Sequence, residues 1–201
     1  MSDKAINQST AKASANNFFG QGARNERASG SPEVIGHAGA DRWHNLIVSN
    51  IAIALGSRMH GHKSEIYIGN MHVKLRGSMS CFPDVTLVNG EPNFADQSAT
   101  TLLNPTVIVD VFSSSSNSLE KTKKLESFLE MPSIKECLLV KQDEMRCEHY
   151  ARQNQKQWIY RIYNERDDVI SLESIHCKLS LSEVYAQVKV EVSELSSKAV
   201  N

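Results

Sequence analysis

The chain has 201 residues, of which 40% are hydrophobic and 22% charged, and its formal net charge is −1. These values are typical of a soluble globular chain and predict one domain that is large enough to bury most of a sheet. They exclude nucleic-acid binding by a generally basic surface, so any such binding requires a local patch. No apolar run reaches the roughly 18 residues that a membrane-spanning helix needs, and we expect no membrane segment.

Both ends of the chain are predicted to be tails around a folded domain at residues 31–190. Residues 1–30 are rich in Ser, Ala, Asn, Gln and Gly and carry too little apolar surface to offset the entropy of ordering. Residues 191–201 are assigned to a C-terminal tail. The N-terminus lacks an apolar core of signal-peptide length, and the four cysteines show no CxxC spacing. We therefore expect a cytoplasmic protein with reduced thiols, and neither a disulfide framework nor a zinc site.

The first half of the domain is predicted to contain one helix and several strands. Apolar residues at helical spacing predict a helix that is capped by Asp41 and ends at Gly61. Alternating apolar residues then predict strands, with turn-rich loops at 89–105 and 113–116. The predicted strands cover residues 64–69, 71–76, 84–88 and 106–112.

The second half begins with a helix at 119–131, which ends where Pro132 cannot continue it. A short helix is predicted at 180–188. Four strands precede it, at 135–141, 145–152, 157–164 and 168–174. The first of these is the most uniformly apolar, which favours a central position. This order predicts a mixed α/β domain in which one central sheet carries the two main helices on its faces, with additional C-terminal strands.

Two carboxylates interrupt the apolar strands. Asp110 shares a strand face with Ile108 and Phe112, because side chains alternate along a strand. Asp84 follows Pro83 at the start of another strand. A buried carboxylate costs free energy unless a partner compensates it, and two ionised carboxylates close together repel each other. A hard divalent cation resolves this conflict, since Mg²⁺ is held by one or two carboxylates with water and phosphate oxygens.

Three lysines on the second helix provide positive charge near these carboxylates. Lys124 precedes the core residue Phe128 by one turn, so its stem is expected to follow the buried edge of the helix. Lys121 lies one turn earlier, and Lys123 is expected to point to solvent. A lysine beside a metal-bound phosphate can orient the attacking water or stabilise the developing negative charge. The pattern indicates a metal-dependent site that cleaves phosphodiesters.

Four segments resemble the restriction-endonuclease-like family that is widespread in bacteria and belongs to the PD-(D/E)XK nuclease superfamily. They are FPDVTLV, LLNPTVIVDVFSSSS, LEKTKKLESFLEMPSIKECLLV and MRCEHYARQNQKQW. The similarity covers residues 33–190, and AGADRWHNLIVSNI resembles the first core helix of the family. The resemblance implies a restriction-endonuclease-like fold, DNA as the substrate, and cleavage that depends on Mg²⁺, with Mn²⁺ as an alternative.

Carried over to this chain, the resemblance makes Asp84 the aspartate of the PD motif and places Asp110 at the (D/E) position. The lysine expected two residues later is replaced by Phe112, but such families can move it to the following helix, where Lys124 matches. The metal ligands would be Asp84, Asp110 and the carbonyl of Val111. Candidate contacts to DNA phosphates are Lys121, Lys74 and Arg76.

Several positions depart from the family pattern. The family usually has Glu at the position of Asp110, Pro at Ser114 and an acidic residue at Lys123, and its N-terminal helix and strand pair are not recognisable. Glu33 is a candidate accessory acidic residue. His44 is either a second accessory residue that faces the site or a hydrogen-bonded structural histidine.

Two expectations about function and assembly follow. One alternative is a nuclease-fold module that has lost its chemistry and acts as a DNA-binding or protein-interaction protein. For an active enzyme, cutting both strands of a duplex favours a homodimer, because symmetric oligomers are mostly two-fold.

Overall fold

The structure is a computed structural model that describes residues 34–35, 41–59, 63–77 and 79–190. All of these belong to the unit Pro32–Asn201. The predicted tails at 1–30 and 191–201, Glu33 and the predicted helix end at Gly61 lie outside the described residues.

The described residues form twelve strands and three α-helices, and runs of consecutive strands separate the helices. In chain order they are β1 (Val34–Ile35), α1 (Arg42–Met59), β2 (Ser64–Ile68), β3 (His72–Lys74), β4 (Ser80–Cys81), β5 (Val85–Asn89), β6 (Thr101–Leu102), β7 (Val107–Phe112), α2 (Ser118–Glu130), β8 (Glu136–Lys141), β9 (Cys147–Arg152), β10 (Trp158–Tyr163), β11 (Val169–Leu172), β12 (Cys177–Ser180) and α3 (Leu181–Val184).

Local side-chain chemistry sets the ends of both long helices. Asp41 caps α1, since its Oδ1 accepts hydrogen bonds from the N–H groups of Trp43 and His44, both at 2.9 Å. Asn117 caps α2 in the same way, with its side-chain oxygen 3.1 Å from the N–H of Leu119. These bonds satisfy N–H groups that have no partner within a helix. The α2 helix ends two residues before Pro132, as predicted.

Within the described residues, the main sheet has six strands in the order β10-β9-β8-β7-β5-β2. The central strand β7 runs parallel to β8 and antiparallel to β5. The sheet is therefore mixed, and the predicted fold class is confirmed.

The two long helices cover opposite faces of this sheet. Ile47, Ile51 and Leu55 of α1 pack with the buried valines of β7, which are Val107, Val109 and Val111. On the other face, Phe128 of α2 packs with Ile108 and Leu139. The alternation of β7 thus divides the core into two layers, and Asp110 lies on the α2 side.

Four strands, β1, β4, β6 and β12, were not predicted, and two predicted strands lie outside the main sheet. The segment 71–76 forms only β3, which belongs to a smaller sheet of order β1-β4-β3-β6. The predicted loop 89–105 contains β6, and the strand at 168–174 is β11, which pairs with the unpredicted β12. Strands of two residues, such as β4 and β6, are too short to show an alternating pattern. The predicted helix at 180–188 is reduced to α3.

None of the helices in the described part of the chain combines the length and apolarity that crossing a membrane requires. All four cysteines are buried free thiols, which agrees with the expectation of no disulfide framework.

Candidate active site

The register of β5 and β7 brings Asp84 next to Asp110. Val85 pairs with Val109 in the antiparallel ladder, so the residue before Val85 lies beside the residue after Val109. The N–H of Asp84 points to Asp110 Oδ1 at 3.4 Å. Both residues are buried, with exposures of 3% and 7%. Asp84 therefore directly precedes β5, and its carboxylate lies beside β7.

The carboxylate of Asp84 is held by two elements. The N–H of Val111 on β7 donates to Asp84 Oδ2 at 2.7 Å, and His44 Nε2 on α1 lies 3.1 Å from Asp84 Oδ1. The backbone carbonyl of Asp84 accepts a hydrogen bond from the N–H of Gly69 at 2.8 Å. Val111 and His44 thus orient this carboxylate by contacting one of its oxygens each.

Lys124 provides the charge that compensates Asp110. Its Nζ lies 2.6 Å from Asp110 Oδ2, and the residue is only 8% exposed. Burial by itself would lower the pKa of Lys124, but the charge and hydrogen bond of Asp110 oppose burial, and the net pKa is raised. Lys124 is therefore an ammonium ion at neutral pH.

The imidazole of His44 stays protonated up to a higher pH than that of an ordinary histidine, because its pKa is raised. The hydrogen bond with Asp84 is the largest cause and raises the pKa of His44, whereas burial lowers it by less. The negative charges of Asp84, Asp41 and Asp110 add to the upward shift. Two carboxylates thus face one ammonium and one imidazole.

The donor atoms available at the site are oxygens, which favour a hard metal ion. Cys81 on β4 lies near this cluster, but burial raises the pKa of its thiol to about 12, so it is not a thiolate ligand at neutral pH. In the described ranges, no three His, Cys, Asp or Glu side chains form a group that could hold a metal by themselves. The donors that remain are the two carboxylates and backbone carbonyls, a set that suits Mg²⁺ or Mn²⁺ better than zinc.

The other residues predicted from sequence occupy different positions. Lys121 is half-buried, with Nζ 3.5 Å from the centre of the Phe112 ring and 3.8 Å from Glu148 Oε2. Lys74 is exposed on β3 of the smaller sheet. Arg76 is exposed and lies 3.5 Å from Glu130, the last residue of α2. Glu33 lies outside the described residues.

These placements separate the predicted phosphate contacts. Glu130 is six residues after Lys124, which is about 9 Å along a helix. Arg76 therefore lies by the far end of α2, whereas Lys121 lies one turn from Lys124 on the same helix. The solvent-facing position predicted for Lys123 is observed.

Sequence reasoning missed the acidic and basic residues beside Lys121. Glu148 contacts Lys121 and also lies 3.4 Å from Arg146 Nε. Residues 145–152 were predicted to form a strand, but the alternation of that strand does not reveal that Glu148 faces α2. The local sequence pattern holds no signal for this, because the register of β8 and β9, which places Glu148 directly opposite Leu139, is a long-range pairing.

Comparison with known proteins gives a family match over most of the chain. The model of the family described as "Uma2: Putative restriction endonuclease" matches residues 13–183. This match starts inside the segment that composition assigned to the N-terminal tail. Because that segment lies outside the described residues, its assignment stays a prediction.

A curated protein and a solved structure are among the proteins similar to this chain. The uncharacterized protein sll1609 of Synechocystis sp. (strain ATCC 27184 / PCC 6803 / Kazusa) is 33% identical over 128 residues, which cover 63% of this chain and 72% of that protein. A crystal structure of a "putative nuclease belonging to DUF820" from Anabaena variabilis ATCC 29413 superposes with a TM-score of 0.63 at 15% identity, covering 75% of this chain and 84% of that one. At this identity the superposition shows a shared fold, and the family match together with it supports the predicted restriction-endonuclease-like fold.

Proposed function

The chain belongs to the Uma2 family of restriction-endonuclease-like proteins, and on that premise we propose that it is a metal-dependent endonuclease that hydrolyses phosphodiester bonds of DNA. The observation that carries this proposal is the meeting of Asp84, directly before β5, with Asp110 on β7 and Lys124 on α2.

The donor set fits a hard divalent cation. Asp84 and Asp110 would supply carboxylate oxygens, and Mg²⁺ commonly uses one or two carboxylates together with waters and phosphate oxygens. The N–H and C=O of a residue in an extended strand point to the same neighbour. Since the N–H of Val111 points to Asp84, the carbonyl of Val111 faces the same edge and is the third candidate ligand. When bound, the cation supplies Lewis acidity and makes a coordinated water more acidic.

Lys124 acts in this proposal as a positioned positive charge. Its raised pKa keeps it protonated at neutral pH, so it is a donor toward the scissile phosphate or the attacking water and not a general base. Asp110 holds the ammonium at the strand end, so little reorganisation is needed when negative charge develops on the phosphate.

His44 acts as a positioning residue. It contacts Asp84 on the oxygen that Val111 does not hold, so that both oxygens of this carboxylate are oriented. Partners that orient metal-binding groups commonly affect metal affinity and activity.

The remaining assignments concern the partner, the assembly and the compartment. Lys121 is the strongest candidate for a phosphate contact because it lies one turn from Lys124, and Lys74 and Arg76 would contact more distant phosphates. A homodimer would supply one site for each strand of a duplex. Four free thiols suit the reducing cytoplasm.

The proposal is tested by incubating duplex and single-stranded DNA with the protein and Mg²⁺ or Mn²⁺. We expect cleavage that stops when the metal is chelated and that Asp84→Asn abolishes. Asp167→Asn, which changes an exposed carboxylate on a loop, is the matched control and should cut like the wild type. Equal cutting by Asp84→Asn would remove the proposed site from the reaction.

One observation favours the alternative of a nuclease-fold module without catalysis. The contacts of Lys124 and His44 already compensate both carboxylates, so the fold does not require a cation. That module would bind DNA without cutting it, and Mg²⁺ or Mn²⁺ would not raise its melting temperature. Binding of a metal ion at an intact site would raise the melting temperature.

A further inference from the structure

The main sheet extends beyond Asp110 on β7 by three strands, β8, β9 and β10. Asp110 pairs with Leu139, Leu139 with Glu148, and Glu148 with Ile162. Residues directly opposite each other on neighbouring strands share a face, and strands lie about 4.8 Å apart. Ile162 on β10 therefore lies about 14 Å from Asp110, on the side of the sheet that α2 covers.

Aromatic rings are exposed on this part of the sheet. Tyr150 and Tyr160 stand opposite each other on β9 and β10, and their ring centres are 4.9 Å apart with an interplanar angle of 38°. Tyr160 is 47% exposed and its neighbour on the same face, Ile162, is 44% exposed. The ring of Tyr160 is thus partly open to solvent on the same face of the sheet as Asp110.

Positive charge surrounds these rings. Lys121 and Arg146 both contact Glu148, so two cations share one carboxylate. Tyr160 lies close enough to Arg146 to contribute to the raised pKa of the guanidinium, after the larger effects of burial and Glu148. Burial is the main cause that lowers the pKa of Lys121, and the positive charges of Lys141 and Arg146 contribute to this lowering. Two cations thus contact the single carboxylate of Glu148, whereas Lys141 is paired with Glu144.

We propose that this surface, which we call the aromatic extension and which consists of Lys121, Arg146, Glu148, Tyr150, Tyr160 and Ile162, binds an unpaired segment of a DNA strand next to the scissile phosphate. The proposal rests on the proposed nuclease function and names the form of DNA that the site prefers. It places the phosphates against Lys121 and Arg146, and a base against the exposed ring of Tyr160.

The chemistry of the aromatic extension selects a single strand. The base faces of a duplex are stacked inside it, whereas an unpaired base can stack on an exposed aromatic ring. A span of about 14 Å accommodates roughly four stacked nucleotides at 3.4 Å each. Lys121 links the aromatic extension to the site, because it contacts Glu148 and lies one turn of α2 from Lys124, so a strand bound on this surface would lead towards the carboxylates.

Binding in the absence of metal tests this proposal separately from cleavage. Fluorescence anisotropy of the full chain in EDTA would measure the affinity for a labelled 15-nucleotide oligodeoxythymidine, for a duplex of that length, and for an abasic strand that carries only the sugar-phosphate backbone. We expect the oligodeoxythymidine to bind most tightly. Tyr160→Ala should weaken this binding by about 5- to 100-fold, the range for loss of one stacked base, and should leave abasic binding unchanged.

Two variants control for folding and for general surface effects. Tyr160→Phe keeps the ring and should bind within twofold of the wild type, with an unchanged melting temperature. Ile68→Ala changes a residue that is 56% exposed on β2, at the opposite edge of the sheet, and should have no effect.

Three results would overturn the assignment. They are duplex binding at least as tight as single-strand binding, equal losses by Tyr160→Ala on the abasic and the thymidine strands, and tenfold tighter binding of oligouridine than of oligodeoxythymidine. None of these results depends on cleavage. Failure of the binding proposal is therefore distinguishable from failure of the nuclease assignment, which is tested by comparing the wild type with Asp84→Asn.

Discussion

Removal of Lys124 should destabilise the fold as well as the chemistry. The Lys124 and Asp110 atoms lie 2.6 Å apart, which corresponds to a gross attraction of about 6 kcal/mol at an effective dielectric constant of about 20. Desolvation of both groups offsets much of this attraction, and loss of one partner of a buried pair commonly costs about 3–5 kcal/mol. Because each side chain keeps about 10% exposure, we expect Lys124→Met to lower the free energy of unfolding by about 3 kcal/mol.

A double-mutant cycle isolates the pair itself. Asp110→Asn leaves the ammonium without its partner and should also be destabilising. The double variant Asp110→Asn/Lys124→Met should cost less than the two single changes together, by at least about 1.5 kcal/mol, because no unpaired charge remains. Urea unfolding of the four proteins at pH 7.5 without metal gives these values. Additive effects, or single changes below about 0.5 kcal/mol as for an exposed ion pair, would refute the reasoning.

The same pair predicts a dependence on alkaline pH. The folded pKa of Lys124 is raised above its unfolded value near 10.5, so its contribution to stability is fully present below that pH. The contribution is lost as the pH rises through the folded pKa. This contribution is absent from Lys124→Met, so the loss of stability above about pH 10.5 should be seen in the wild type and not in the variant.

Three further changes test other parts of the account. Glu136 accepts bonds from His149 and Ser174, which outweigh the opposing effect of burial and lower its pKa. Its contribution is present above about pH 4.5 and is lost as the pH falls through the folded pKa, so Glu136→Gln should cost about 1–3 kcal/mol at pH 7 in urea unfolding and less in acid. His44→Ala should weaken Mn²⁺ binding by about 10- to 100-fold in calorimetric titrations, and unchanged affinity would contradict its positioning role. Lys121→Met should lower the slope of DNA affinity against salt by about one unit in anisotropy measurements, and an unchanged slope would exclude a phosphate contact.

The carboxylate pair was predictable from sequence because strand alternation and the antiparallel register follow simple rules. Asp84 and Asp110 each start or interrupt an apolar strand, and neighbouring strands bring such positions together. The helical spacing of Lys124 and Phe128 likewise placed the lysine on the buried side of α2, where the structure has it.

The electrostatic balance of the site was not predictable in the same way. Sequence reasoning emphasised repulsion between the two carboxylates and a divalent cation that would resolve it. The structure instead pairs Asp110 with Lys124 and Asp84 with His44. These contacts depend on the distance between helices and sheet, which periodicity does not specify.

The surroundings of Lys121 and the smaller sheet were missed for a related reason. Glu148 lies 27 residues after Lys121 and meets it only because β9 adds to the sheet beside β8. The strands β4 and β6 have two residues each, and their pairing with β3 follows from tertiary contacts. Long-range pairing therefore decided the features that local patterns did not reveal.

Single-turnover cleavage of one labelled DNA by the wild type and by Lys124→Met tests the central claim most directly. The protein should be in excess, Mg²⁺ or Mn²⁺ should be saturating, and both proteins should be folded by circular dichroism at the assay temperature. The account predicts a rate constant for Lys124→Met that is about 100- to 1,000-fold lower, with DNA affinity changed little because the ammonium acts mainly in the transition state. A rate constant within twofold of the wild type, or wild-type cleavage that persists without any divalent metal, would contradict it.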